Sequence, residues 1–423
     1  MKKIILLIII IAVIVGGYFG YKHFFGKNEI PVLETETEKV NVSKYYIYGT
    51  NLNIDGTLKI GDSNFEEIYL TLYNGEFKDF EIKYKDDGNL LTFNLAEELN
   101  KGLYLEDIAR GDYYMFIKAI YENKENPEEK IEKYYVLENK TEYSETEYYT
   151  FTSVNNKITI NSDNDYKTMM LNVKEKKDSK EVADIVLDPG HGGMDGGAEA
   201  FDYSERDFTY PLAEIVKEKL QKEGYKVELT RGELSQNDVM EEYNEGGRAV
   251  VSSELYSKYL FSLHFNSNDS TSVNGLEIYS PANIDYTFAK SLAENITSMT
   301  GMEYSKQKTY KLFNGVYSHN FSETEIQNSL AGYEEKGYEP YNITTDSNYY
   351  YMIRETGGIV TGAYVDDSNP EKVGVNPYYK SNRGTESYVL ELGYITNSAD
   401  FDIIKNKQED IADAIVKAIK ENL

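Results

Sequence analysis

Cysteine is absent from the 423 residues, which excludes disulfides, thiol nucleophiles and thiolate metal sites together. Any bound metal must rest on nitrogen and oxygen. Histidine is nearly as scarce: His23, His191, His264 and His319 are the whole supply, so imidazole chemistry has few addresses. Positive charge is the third shortage. Lys and Arg number 44 against 72 Asp and Glu, a formal net charge of −28, and nucleic acid or anionic lipid would be repelled. The chain does have apolar residues, 40% of the total, enough to build cores for two or three domains of the usual ~100 to 200 residues. A chain without cysteine also suits export from a cell that makes no disulfides.

Behind Lys2 and Lys3, Ile4 to Tyr21 is an apolar run without charge, long enough as a helix for the ~27 to 30 Å of a hydrocarbon layer. Residues 1–25 are therefore expected to be a cytoplasmic stub and a single-pass transmembrane anchor, with the rest of the chain on the outer, cell-wall side. Cleavage of this segment would instead give a secreted form. After a linker at 26–43, residues 44–173 show short alternating bursts (YYIYG, EEIYLTLYNG, YYMFIKAIYE) between Asn, Gly and Asp turns. That period predicts an all-β, sandwich-like accessory domain. Strand propensity accounts for its many tyrosines without a ligand.

The charged stretch within 174–183 reads as a second linker, and 184–423 alternates strands with helices, the pattern of an α/β domain with an open, mostly parallel sheet. A strand at 184–187 leads into PGHGGMDGG, YLFSL runs into His264, and YVLEL ends in Glu391. Ligands of open α/β sheets bind at the carboxyl ends of strands, and Glu205, on the loop into the first helix, shares that rim. Two imidazoles and a carboxylate are a ligand set of catalytic zinc, and a further glutamate free of the metal would serve as base. The glycine-rich turn lacks both the P-loop ending and G-x-G-x-x-G spacing, so no nucleotide is expected. Asp188 is expected to brace the turn or orient His191. Asn266 is a loop residue and a candidate substrate contact; Arg354 in MIRETGG either takes a peptide-stem carboxylate in bidentate fashion or pairs with a neighbouring glutamate. His319 has no motif around it and reads as a surface-loop histidine.

IVLDPGHGGMDGGA, SERDF, LTR, FSLHFNS with NGLEIY, and YVLELGYITN occur in one order, and in this the chain resembles the zinc-dependent N-acetylmuramoyl-L-alanine amidases of the cell-wall autolysin and spore-cortex type, over about 184–423. The resemblance implies Zn2+ on His191, Glu205 and His264, and Glu391 as the catalytic glutamate. It implies hydrolysis of the amide between N-acetylmuramic acid and L-alanine, with peptidoglycan as the partner. Two departures stand out. Phe265 follows the ligand histidine where a small residue is usual, and Gly301 to Thr385 is longer than the common pattern. The rival expectations are an inactive wall-binding protein and a zinc peptidase cutting within the stem peptide.

Overall fold

The computed structural model describes residues 33–61, 64–139, 146–162, 166–233, 247–336, 343–363 and 383–423. The expected anchor, Ile4 to Tyr21, lies outside them, and among the described residues no helix is long and apolar enough to cross a membrane. The architecture is therefore corrected: it is a mixed α/β fold built on two large sheets.

The accessory half also differs from expectation. Its strands, from Val40–Tyr48 to Met169–Glu175, join in one hydrogen-bonded sheet of twelve instead of two separate ones. The join is a short parallel pairing, Val40↔Leu137 to Val42↔Asn139. Alternation in sequence reports which side of a strand is buried and says nothing about which edges pair, so this join was not legible. Ile54 and Leu58 from one end of the sheet share a core with Leu70, Ile117 and Leu171 from the other. Tyr45, Tyr113, Tyr121, Tyr135 and Tyr148 are buried in that core, where packing explains them.

The second sheet has seven strands in the order Val227–Leu229, Ile185–Pro189, Tyr259–Asn266, Glu386–Tyr394, Leu276–Tyr279, Val316–Tyr317, Lys311–Phe313. The first four are parallel, whereas Leu276–Tyr279 runs antiparallel to Glu386–Tyr394. The sheet is mixed. Alternate residues serve two layers. Leu187, Phe261 and Leu390 face helices Arg206–Lys222, Thr287–Thr300 and Gln408–Asn422. Val186, Leu260 and Val389 face the other way, toward Met352 and Ile353 of helix Tyr351–Thr356. With both sides covered, the central strands read as nearly unbroken apolar runs.

The two halves meet where the parallel strands begin. Tyr48 and Phe151 belong to the core of the second sheet. Leu99 N–H donates to the Asn283 carbonyl at 3.0 Å, Asn100 Nδ2 to Glu386 at 3.2 Å, and Thr152 N–H to Asp184 at 2.7 Å. Val182, Ala183 and Asp184 are buried in this contact; the end of the expected linker is thus part of the packed structure.

Candidate metal centre

Strand Ile185–Pro189 delivers the chain into a turn at Gly190, held by Arg231 Nε on the Pro189 carbonyl at 2.8 Å. A Cβ at Gly190 would strike the His264 ring, and one at Gly197, which has φ +68°, would lie 2.6 Å from both His191 and Glu205. The glycines thus make room for the cluster. His191 itself has φ +59°, a backbone state costing about 1 kcal/mol or more that persists only when the surroundings impose it. Here they do: Nδ1 lies 2.8 Å from Asp195 Oδ2 and Nε2 lies 3.0 Å from Glu205 Oε2.

Glu205 immediately precedes helix Arg206–Lys222. Its carboxylate accepts from the backbone N–H groups of Ala198 (3.1 Å) and Phe265 (2.9 Å) and lies 3.0 Å from His264 Nδ1. Burial opposes its charge, but the hydrogen bonds and charges of the two histidines prevail and hold it well below the usual carboxylate range. Burial likewise disfavours protonated His191, yet Glu205 and Asp195 outweigh it and raise its pKa. One donor atom each from His191, Glu205 and His264 lies within 4.8 Å of the others. Zinc bonds of ~2.0 to 2.2 Å to nitrogen and oxygen in a tetrahedron separate donors by ~3.3 Å, so the set fits with small movements.

Register accounts for the fourth residue. His264 pairs with Glu391 across two parallel strands, and Glu391 pairs with Glu277 across the antiparallel one. All three therefore project from the same side of the sheet, at the rim. Burial pushes the Glu391 pKa well up, and the Glu205 and Glu277 carboxylates push it further. Glu277 is itself enclosed, accepting from Tyr279 Oη at 2.8 Å, Tyr394 Oη at 2.7 Å and Ser305 Oγ.

The other named residues fall elsewhere. Asp188 is held by other partners. Its buried carboxylate takes Arg248 Nε (2.7 Å) and Nη2 (2.8 Å), Thr230 Oγ1 (2.6 Å) and Ser262 Oγ, tying three strand ends together beneath the cluster. Burial alone would raise its pKa, but Arg248 and the two hydroxyls bring it far down. The residue that orients His191 is Asp195, the aspartate inside PGHGGMDGG; its place four residues on, across a Gly192–Asp195 bridge, was the available signal. Asn266 Nδ2 donates to Glu277 at 3.3 Å. Arg354 is buried, with Nε on Glu355 at 3.0 Å and Nη1 on the carbonyls of Asn348 and Tyr349. His319 is no surface residue: it is stacked between Tyr310 and Tyr349, at 3.6 and 4.2 Å between centroids, with Nε2 2.9 Å from Glu325. Phe265 points into the helix-covered core, edge-on to Phe208, so this departure alters packing and leaves the rim unchanged.

Fold and site together define an α/β protein with a His–Glu–His cluster able to hold a metal ion at the carboxyl ends of its parallel strands. The sequence pattern of the N-acetylmuramoyl-L-alanine amidase family matches residues 185–331. The N-acetylmuramoyl-L-alanine amidase LytC of Bacillus subtilis is 33% identical over 112 residues, covering 26% of this chain and 21% of that protein. The probable cell wall amidase LytH of Staphylococcus epidermidis is 32% identical over 136 residues, 30% of this chain and 42% of that one. The chain thus spans less than half the length of these curated relatives. The solved catalytic domain of CwlV, an N-acetylmuramoyl-L-alanine amidase from Bacillus (Paenibacillus) polymyxa var. colistinus, aligns over 57% of this chain and 97% of its own at 20% identity, with a TM-score of 0.36.

Proposed function

We propose that the chain is a zinc-dependent N-acetylmuramoyl-L-alanine amidase acting on peptidoglycan. The observation that carries this reading is the convergence of His191, Glu205 and His264, all within residues 185–331 that match the family pattern, with Glu391, outside that match, beside His264 in register. His191, Glu205 and His264 would hold the metal. When bound, zinc polarises the amide carbonyl and lowers the pKa of a water toward ~7. Glu391 takes the proton of the attacking water and returns it to the leaving amine of L-alanine. Asp195 fixes the His191 ring, and Asp188 with Arg248 clamps the strand ends on which His191 and His264 stand. The substrate lies outside the cytoplasm, so this reading puts both halves of the chain on the wall side.

The test is to identify the amino termini released when zinc-loaded protein digests purified wall. New alanine termini are expected. New termini at other stem residues would make the protein a stem peptidase, and none at all, with zinc bound, would make it a wall-binding protein.

A further inference from the structure

The hairpin Glu199–Ala200/Tyr203–Ser204 turns through two residues with positive φ, Phe201 at 50° and Asp202 at 64°. Two-residue hairpin turns of this kind favour Asn-Gly, because positive φ strains most side chains at both positions and Asn and Gly tolerate it best. A large ring in that place is the least suitable choice for folding. Yet the Phe201 ring is 50% exposed, and Tyr203 (37%) and Met194 (84%) are exposed as well. Phe201 lies against Phe401 at 4.7 Å between centroids, and Tyr203 against Phe401 at 5.7 Å. Lys405 Nζ stands 4.6 Å over the Tyr203 ring and 3.1 Å from its hydroxyl. The result is an aromatic shelf with polar groups at its edge.

The base of the same hairpin is a metal ligand. Glu205 N–H donates to the Ala198 carbonyl at 2.8 Å, one rung beyond Glu199↔Ser204. The tip is three rungs from Glu205, about 10 Å at ~3.3 Å per residue, or roughly two pyranose rings. What reaches the cluster as a sugar-linked amide must lay neighbouring sugars within that radius. A pyranose presents a face of C–H groups to an aromatic ring and hydroxyls to polar neighbours, and the shelf offers both.

We propose that Phe201, Tyr203 and Phe401 form a saccharide subsite that holds the glycan strand beside the metal centre, the turn strain at Phe201 being retained for that contact. This rests on the amidase reading for the identity of the sugar polymer and for its passage beside the cluster. Binding is therefore measured on glycan strands stripped of peptide, with the full chain, where hydrolysis plays no part. Phe201→Asn supplies the residue the turn favours, so its melting temperature is expected to equal or exceed that of the wild type, with zinc content unchanged. Its affinity for the glycan is expected to fall about fivefold to tenfold, the scale of one lost ring contact. Phe201→Tyr should keep affinity, and Tyr84→Asn, an exposed ring on the accessory half, should leave it unchanged. The subsite is refuted if Phe201→Asn binds as the wild type does, if Tyr84→Asn loses as much, or if the loss comes with loss of zinc, which would give the shelf a purely structural role. Failure to release alanine termini from wall would leave the glycan result standing and sink the amidase reading alone.

Discussion

Removing Asp195 tests the centre through a residue outside the His191, Glu205 and His264 set. Its carboxylate meets His191 Nδ1 at 2.8 Å and also receives the Gly197 N–H at 3.0 Å. It therefore sets both the ring's orientation and the nitrogen that is left for a cation. Loss of such a partner ordinarily costs 10- to 100-fold in metal affinity. The Asp195 side chain is 47% exposed, so solvent screens its charge and the effect belongs in the lower part of that range, roughly 10- to 30-fold or about 1.4 to 2 kcal/mol. Asp195→Asn keeps an oxygen acceptor for Nδ1–H and should lose only about threefold, the share owed to charge. Zinc dissociation constants from chelator competition at pH 7.5 separate the three proteins. If Asp195→Ala binds zinc within twofold of wild type, His191 is oriented by its glycine turn alone and the reasoning fails.

Glu391→Gln should bind zinc as the wild type does while alanine release slows by ~10² to 10⁴, the worth of a positioned acid/base group; turnover near normal in the zinc-loaded variant refutes the assignment. Asp188→Ala leaves Arg248 buried without its bidentate acceptor and is expected to cost about 3 to 5 kcal/mol in urea unfolding; a loss below about 1 kcal/mol would show that the strand clamp is dispensable. Burial raises the pKa of Glu386 to about 7 against the opposing hydrogen bonds of Tyr388 and Asn100. For an acid raised in the folded state, the folded chain holds the extra proton, so its contribution is full below ~4.5 and is lost as pH rises through about 7. Glu386→Gln should therefore flatten the fall in stability between those pH values, a fall of at most about 3 kcal/mol; an unchanged pH slope in thermal unfolding contradicts this.

The parts legible in sequence share one property: the local chain dictates them. A strand running into PGHGGMDGG, and apolar runs interrupted at His264 and Glu391, place three groups on one rim whatever the rest does. Glu205 was legible only through its position before a helix. The division of labour between two aspartates was not. Asp188 and Asp195 both flank the turn, and only the fold shows that Asp188 turns down to Arg248, 60 residues away, while Asp195 turns up to His191. Likewise, the burial of His319 depends on Tyr310 and Tyr349 arriving from separate segments. Helix and strand periods report burial of one element and carry nothing about such meetings. The same limit hid the parallel join of the twelve-stranded sheet and the docking of its loop at Leu99 and Asn100.

That docking makes the accessory half a pedestal. It grips the strand starts around Lys258 and Glu386, while His264 stands six residues further along the same strand, about 20 Å away at ~3.3 Å per residue. Separating the halves would strip Tyr48 and Phe151 from the core of the second sheet and bare Lys258, a fully buried ammonium between the rings of Tyr148 and Phe151. The catalytic half is thus no interchangeable cassette, and a change of pedestal requires redesign of the surface on which it stands.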